Sequence, residues 1–230
     1  MKNNMKQIVD FIQEGLKINS KTRVNEKKYH PKDRDELKEL VDNLIKERGL
    51  FADLNDIDTS KIDDMSKLFF ESSFNGNISE WDVSNVKNMF RIFSRSNFNN
   101  DISKWDVSNV ENMECMFSAC EFNKDISKWN VSNVENMSGM FANGFFDKDI
   151  SKWNVSNVTN MEEMFENSVF KGDISKWDVS NVENMYCMFY NSKFNGDISK
   201  WNVKNCKEMS FMFDESPLKN HPPKWYKDII

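Results

Sequence analysis

The chain has 230 residues, 39% of them hydrophobic and 13% aromatic, which is ample for a folded core and excludes a disordered chain. Residues 1–50 carry 12 basic and 9 acidic side chains, and residues 51–230 carry the remaining 19 and 28, giving formal charges of +3 and −9. An acidic body repels phosphate backbones and anionic headgroups, so neither nucleic acid nor membrane lipid is expected as its partner.

At the start of the chain Ile8, Phe11, Ile12 and Leu16 share one face of an amphipathic helix. Asp10, Gln13 and Glu14 interrupt the unbroken apolar run that a secretory signal needs, so no signal peptide or anchor is expected in the chain as given. Leu37, Leu40, Val41, Leu44 and Ile45 mark a second helix, with Pro31 before it and Gly49 as its stop. Residues 1–50 are read as a helical cap or docking segment.

From there on the chain repeats. Tryptophan falls at 81, 105, 129, 153, 177, 201 and 225, a period of 24 that uses every Trp in the sequence. One period earlier stands Ile57, and residues 57–69 align with 81–93 without a gap. Positions are numbered below from the Trp as zero. Apolar residues recur at +2 (Val107), +5 (Val110), +8 (Met113), +11 (Met116), +12 (Phe117) and +17 (Phe122), and Ile102 stands three before Trp105. The I-x-x-W-x-V spacing predicts a short strand with alternate side chains inward, and +5, +8, +11 and +12 predict a helix of two or three turns, N-capped by the Asn at +4. The expected fold is an α/β solenoid: a leucine-rich-repeat-like array of short parallel strands and short helices over 51–216, with an N-terminal helical cap. Pro217, Pro222 and Pro223 break the pattern, and Trp225 and Tyr226 suggest a C-terminal cap over 217–230.

The unit WDVSNVxNMxxMFxxxxFNxDISK, carried by pairs such as Asn109-Val110, Asn112-Met113 and Met116-Phe117, resembles the repeats of the BspA-like leucine-rich-repeat surface-protein family over about residues 54–230. The resemblance implies adhesion or protein binding on a leucine-rich solenoid. Residues 14–41 resemble a leader on phage-borne members, which directs the expectation to a host cytoplasm or a virion and away from the cell surface.

The residues offer little chemistry. Twelve of the 14 Met occupy +8 and +11, where helical spacing makes them core fillers and not soft-metal ligands. The Asp at +20 (Asp101, Asp125, Asp149, Asp173, Asp197), with Asn or Asp at +18, invites a calcium ladder, but no metal-loop glycine pattern accompanies it and Asx turns are the expected role. Cys115, Cys120, Cys187 and Cys206 lack metal or redox spacing. His30 and His221 have no recognisable nucleophile near them in sequence, so no enzyme, cofactor or metal is expected. The candidate binding surface is the outward side of the expected strands: Lys104, Lys128, Lys152, Lys176 and Lys200 at −1, and Asp82, Asp106, Asn130, Asn154 and Asp178 at +1. The expected function is a binding module for a protein or glycan partner, with a structural role in a phage virion or other assembly, docked through the N-terminal helices, as the alternative.

Overall fold

Residues one repeat apart lie directly over one another in the computed structural model, which describes residues 27–227. The first expected helix, Ile8 to Leu16, lies outside the described residues. Parallel bridges join Asp64 to Asn88, Asn88 to Asn112, and so on at +7 up to Asn184 and Glu208, so each repeat forms one coil of a stack.

The coil is not built from a strand and a helix. Among the described residues the bridges are isolated, no sheet forms, and no repeat contains an α-helix. The expected α/β architecture is therefore wrong, and the hydrogen bonds show why. Through the segment expected to be helical, alternate N–H groups go to different places. In the coil that starts at Trp81, Met89, Arg91, Phe93 and Arg95 donate to Asn112, Glu114, Met116 and Ser118 of the next coil at 2.8–3.1 Å. The intervening Ile92, Ser94 and Ser96 donate back to Met89, Arg91 and Phe93 of their own coil, closing consecutive, overlapping four-residue turns. The result is a ribbon of linked turns, in which half the donors serve the neighbour and half serve the coil itself.

This ribbon needs a left-handed residue in every second turn. Each repeat has positive φ at +10 and +14, as at Arg91 (53°) and Arg95 (56°) or Cys115 (53°) and Ala119 (52°). Such a conformation costs an L-residue roughly 1–2 kcal/mol, so it persists only because the inter-coil bonds and the packing beneath them require it. The side chain at +7 works in the same direction: Asn112 Oδ1 accepts the N–H of Glu114 at 2.9 Å, a local bond that diverts a donor from the helical ladder.

The expected strand fails for a related reason. Ile102, Trp105 and Val107 do point inward and are buried, as the alternation required. Their backbone makes no ladder, because Trp105 N–H closes a turn on Ile102 and the side chains of Asp101 and Asp106 take the N–H groups of Ser103 and Ser108. Side chains join the coils here instead. Every Trp indole N–H donates to a carbonyl 27 residues earlier, at 2.8–3.2 Å, as Trp105 does to Ile78. The Asn at +4 is not a helix cap: its Nδ2 donates at 2.7 Å to the preceding coil, as Asn109 does to Ser84. At +18, Asn75, Asn99, Asn123 and Asp147 each accept the N–H of the +18 residue one coil on.

The core is a set of aromatic columns. Phe93 and Phe98 stack within one coil at 4.1 Å, each stacks on its equivalent in the next (Phe117 at 5.7 Å, Phe122 at 6.3 Å), and Trp81 lies parallel to Trp105 at 6.5 Å.

Both ends of the stack are closed by departures from the repeat. Helix α1, Arg34–Arg48, is capped by Asp33, whose side chain accepts from Asp35 and Glu36, and ends at Gly49 (φ 91°), whose N–H returns to Ile45. It occupies the place of one coil: Asp33 stands 24 residues before Ile57, and the buried Val41 and Leu44 hold the same offsets as Met65 and Leu68. Past its first turn, which Asp33 caps, a helix bonds its N–H groups within itself, so it can cover the first coil without a preceding neighbour. Arg34 Nε also donates to Ser66 O at 3.0 Å. At the other end a 3₁₀ turn (Pro217–Lys219) and α2 (Lys224–Lys227) place Trp225 over Trp201 at 6.5 Å and Tyr226 edge-on to Phe213 at 4.8 Å.

Two outcomes test this architecture. Trp129→Ala removes a buried column member and its bond to Ile102 and should cost about 3–5 kcal/mol, whereas Lys128→Ala, one residue away and exposed, should cost under about 0.5 kcal/mol in urea denaturation. Ala119→Gly should stabilise by about 0.5–1 kcal/mol by relieving a positive φ, while Ala142→Gly at a buried position without positive φ should destabilise.

Candidate ligand groove

The ten residues expected to form the binding surface all lie exposed along the stack. Successive coils stand roughly 4.8 Å apart, so Lys104, Lys128, Lys152, Lys176 and Lys200 form one column and Asp82, Asp106, Asn130, Asn154 and Asp178 another. Among the described residues no ion pair or hydrogen bond joins the two columns. Every member of the second column has a local task, its Oδ1 accepting the N–H of the residue two positions on at 3.0–3.2 Å. These side chains are turn formers first. Among the lysines, Lys104 reaches Glu80 at 3.4 Å. The Asp at +20 likewise accepts from the Ser at +22 at 2.9 Å. No group of three His, Cys, Asp or Glu residues placed to hold a metal occurs among the described residues. Burial pushes all four thiols up, which leaves them poor nucleophiles. His30 is exposed and lies 3.1 Å from Asp58.

A concave surface lies elsewhere, between the columns at +4 and +6. Two neighbouring hollows of about 430 and 400 Å³ open there. The first is lined by Asn157, Thr159, Asn181, Glu183, Asn205 and Lys207, and the second by Glu111, Asn133, Glu135, Asn157 and Thr159. They share Asn157 and Thr159 and so form one groove running across the coils. Its shape follows from the backbone. The turn that returns Val110 N–H to Val107 O tucks +5 into the core, leaving +4 and +6 as walls on either side.

The walls present mostly acceptors. Each +4 Asn spends its Nδ2 on the coil before, as in the 2.7 Å bonds of Asn133, Asn157 and Asn181, which turns Oδ1 away from that bond. The +6 column reads Lys87, Glu111, Glu135, Thr159, Glu183, Lys207. Its ends are paired, Lys87 with Glu111 at 3.3 Å and Lys207 with Glu183 at 2.7 Å. In the middle, Glu135 has no basic partner within ion-pair distance among the described residues, and Thr159 Oγ1 donates to Glu135 O at 3.2 Å. The groove can therefore take hydrogen-bond donors and positive charge at its centre.

Sequence reasoning gave the +4 Asn a helix-capping role, and it missed +6 altogether. One signal was available: +6 changes sign and polarity from repeat to repeat while +5 and +8 barely change. An exposed position that varies inside a rigid repeat is where recognition can be written without loss of fold.

The turn-forming aspartates give the protein a defined acid limit. Hydrogen bonds from Ser60, and then from His30, lower Asp58 from the ordinary 3.8 to about 2, and the hydrogen bonds from Ser108 and Ser180 lower Asp106 and Asp178 in the same direction. Folded-state values below the unfolded ones mean stability that is complete above about pH 4 and lost as pH falls towards 2. Urea midpoints should hold or rise slightly from neutrality down to about pH 4, because burial raises the carboxyls of Glu163 and Glu166 and the folded state takes up their protons first, and should drop below it; Asp106→Asn, which keeps the acceptor, should remove that residue's share of the drop.

Among known proteins, the chain matches the family described as Mycoplasma protein of unknown function, DUF285, over residues 36–145 and again over 121–225. No curated protein and no solved structure matches the chain.

Proposed function

The chain belongs to the DUF285 repeat family, and on that footing we propose that it is a non-enzymatic binding module which holds an extended partner segment, protein or glycan, in the groove between +4 and +6. The observation that carries this reading is the continuity of the groove across coils, with acceptors on both walls and an uncompensated carboxylate, Glu135, at its centre. A stack with a fixed rise suits a partner that repeats along its length, such as an extended peptide with basic side chains or a sugar chain with regularly spaced hydroxyls. The likeness of the repeat to BspA-like units supports adhesion by analogy. No helix among the described residues is long and apolar enough to cross a membrane.

Docking to a virion or another assembly through residues 1–50 is the weaker reading. Leu37, Val41 and Leu44 of α1 are buried against the first coil, so only the polar side of that helix is available to a partner.

Arrays of basic peptides and of glycans, probed with the full chain, should yield a ligand whose affinity falls at least about tenfold in Glu135→Lys with thermal stability unchanged. Absence of binding on both arrays, or a ligand that binds Glu135→Lys as tightly as the parent, would overturn the groove. If binding is lost instead in Lys128→Glu/Lys152→Glu, the lysine column is the site.

A further inference from the structure

The outer surface of the turn ribbon, formed by residues at +9, +10, +13 and +14, is separate from the groove, and its charges are segregated along the stack. Near the N-terminal end Lys67 and Arg91 crowd one ring, with Lys67 Nζ 5.4 Å and the Arg91 guanidinium carbon 5.0 Å from the centroid of Phe90. Neither has a carboxylate within ion-pair distance among the described residues, and Arg91 Nε is buried without a hydrogen-bond partner. Arg95, by contrast, is paired with Glu71 at 3.1 Å. Three coils on from Arg91, Glu163 and Glu166 share one turn of the ribbon. Burial pushes both carboxyls up, with Glu162 adding to the first and Glu163 to the second, and no Lys or Arg makes an ion pair with either among the described residues. Between the two ends the +10 and +13 columns are low, with Cys115 and Gly139 at +10 and Ser118 and Ala142 at +13, while Glu114 at +9 accepts from Asn136 Nδ2 at 3.1 Å.

We propose that this face binds the same face of a second copy of the chain, about a two-fold axis that emerges between the coils of Cys115 and Gly139. A two-fold axis normal to the face reverses the stacking direction, so the Lys67 and Arg91 end of each chain lies on the Glu163 and Glu166 end of the other. The midpoint follows from counting coils: Arg91 is in the second repeat and Glu163 in the fifth, so the axis falls between the third and fourth. The small residues there let the two ribbons approach closely enough for the charges at both ends to meet. A basic partner protein would satisfy the glutamates and leave Lys67 and Arg91 uncompensated, and an acidic one would do the reverse. A second copy satisfies both at once. The groove lies on other columns and stays open, so the pairing would present two grooves running in opposite directions.

Sedimentation velocity on the full chain at low salt should show a dimer, with a dissociation constant at least about tenfold weaker in about 0.5 M salt. Lys67→Glu/Arg91→Glu makes both ends acidic, and Glu163→Lys/Glu166→Lys makes both ends basic. Each double variant alone should be monomeric where the parent is dimeric, and an equal mixture of the two should dimerise again, since every contact between them is then between opposite charges. Recovery in the mixture also shows that neither variant lost its fold; should one fail to fold, Arg91→Gln and Glu163→Gln should each still weaken the dimer. A parent chain that remains monomeric at about 100 μM in low salt, variants that dimerise on their own, or a mixture of folded variants that stays monomeric would each overturn the pairing.

Discussion

The structure depends on where the alternate N–H groups of the turn ribbon go. At +8, +10, +12 and +14 they leave the coil and bond to carbonyls of the next one, while those at +11, +13 and +15 close turns inside the coil. Once the donors are divided in this way the chain cannot be an α-helix, which keeps all its bonds within itself, nor a β-strand, which sends donors and acceptors alternately to each side. The division also gives the ribbon a polarity, with its amide donors facing the C-terminal end and its carbonyl acceptors facing α1, whereas the N–H groups at +6 and +7 point the other way, to the +6 carbonyl of the coil before. A single coil leaves half its ribbon donors without protein partners and two residues in a strained left-handed conformation. Its stability therefore comes from its neighbours, as expected of quasi-one-dimensional repeat proteins.

That dependence explains the two ends. Helix α1 closes the acceptor end because it is a secondary structure that needs no neighbour, and it can replace a coil because its apolar spacing is the same. At the donor end the cap is aromatic: Trp225 continues the tryptophan column and its bond to the carbonyl of Ile198, at 2.8 Å, while Tyr226 closes the phenylalanine column. The aromatic columns and the side-chain bonds at Trp, +4 and +18 hold together the parts of the coil that have no backbone ladder.

A scaffold this constrained leaves few positions free to vary, and these fall into separate columns. The +1 and +20 aspartates look like a charged surface in the sequence but are committed to turns. The +6 side chains and the ribbon's +10 and +13 side chains carry no such duty, and it is there that charge changes most from one coil to the next. Recognition and self-association can consequently be placed on different columns of the same repeat, each tuned by substitutions that leave the core columns untouched.

The sequence by itself determined the unit, its length, its register and its inward residues. The Trp period places every coil boundary, and Ile102, Trp105, Val107, Val110, Met113, Met116, Phe117 and Phe122, all read as apolar positions, are all buried. It also marked α1, through its apolar face and the stop at Gly49. It did not determine the backbone of the repeat, because a spacing of three and four between Met113, Met116 and Phe117 serves an α-helix and a ribbon of turns equally well. Val41, Leu44 and Ile45 have that same spacing and are helical. What separates the two cases is whether a neighbouring coil stands ready to accept the outgoing N–H groups, and that is a property of the stack. The candidate site was hidden for the same reason: the outward direction of Lys128 and Asn130 follows from alternation, but the hollow between the Asn133 and Glu135 columns exists only once successive coils are laid one on another, since each wall takes one residue from every repeat.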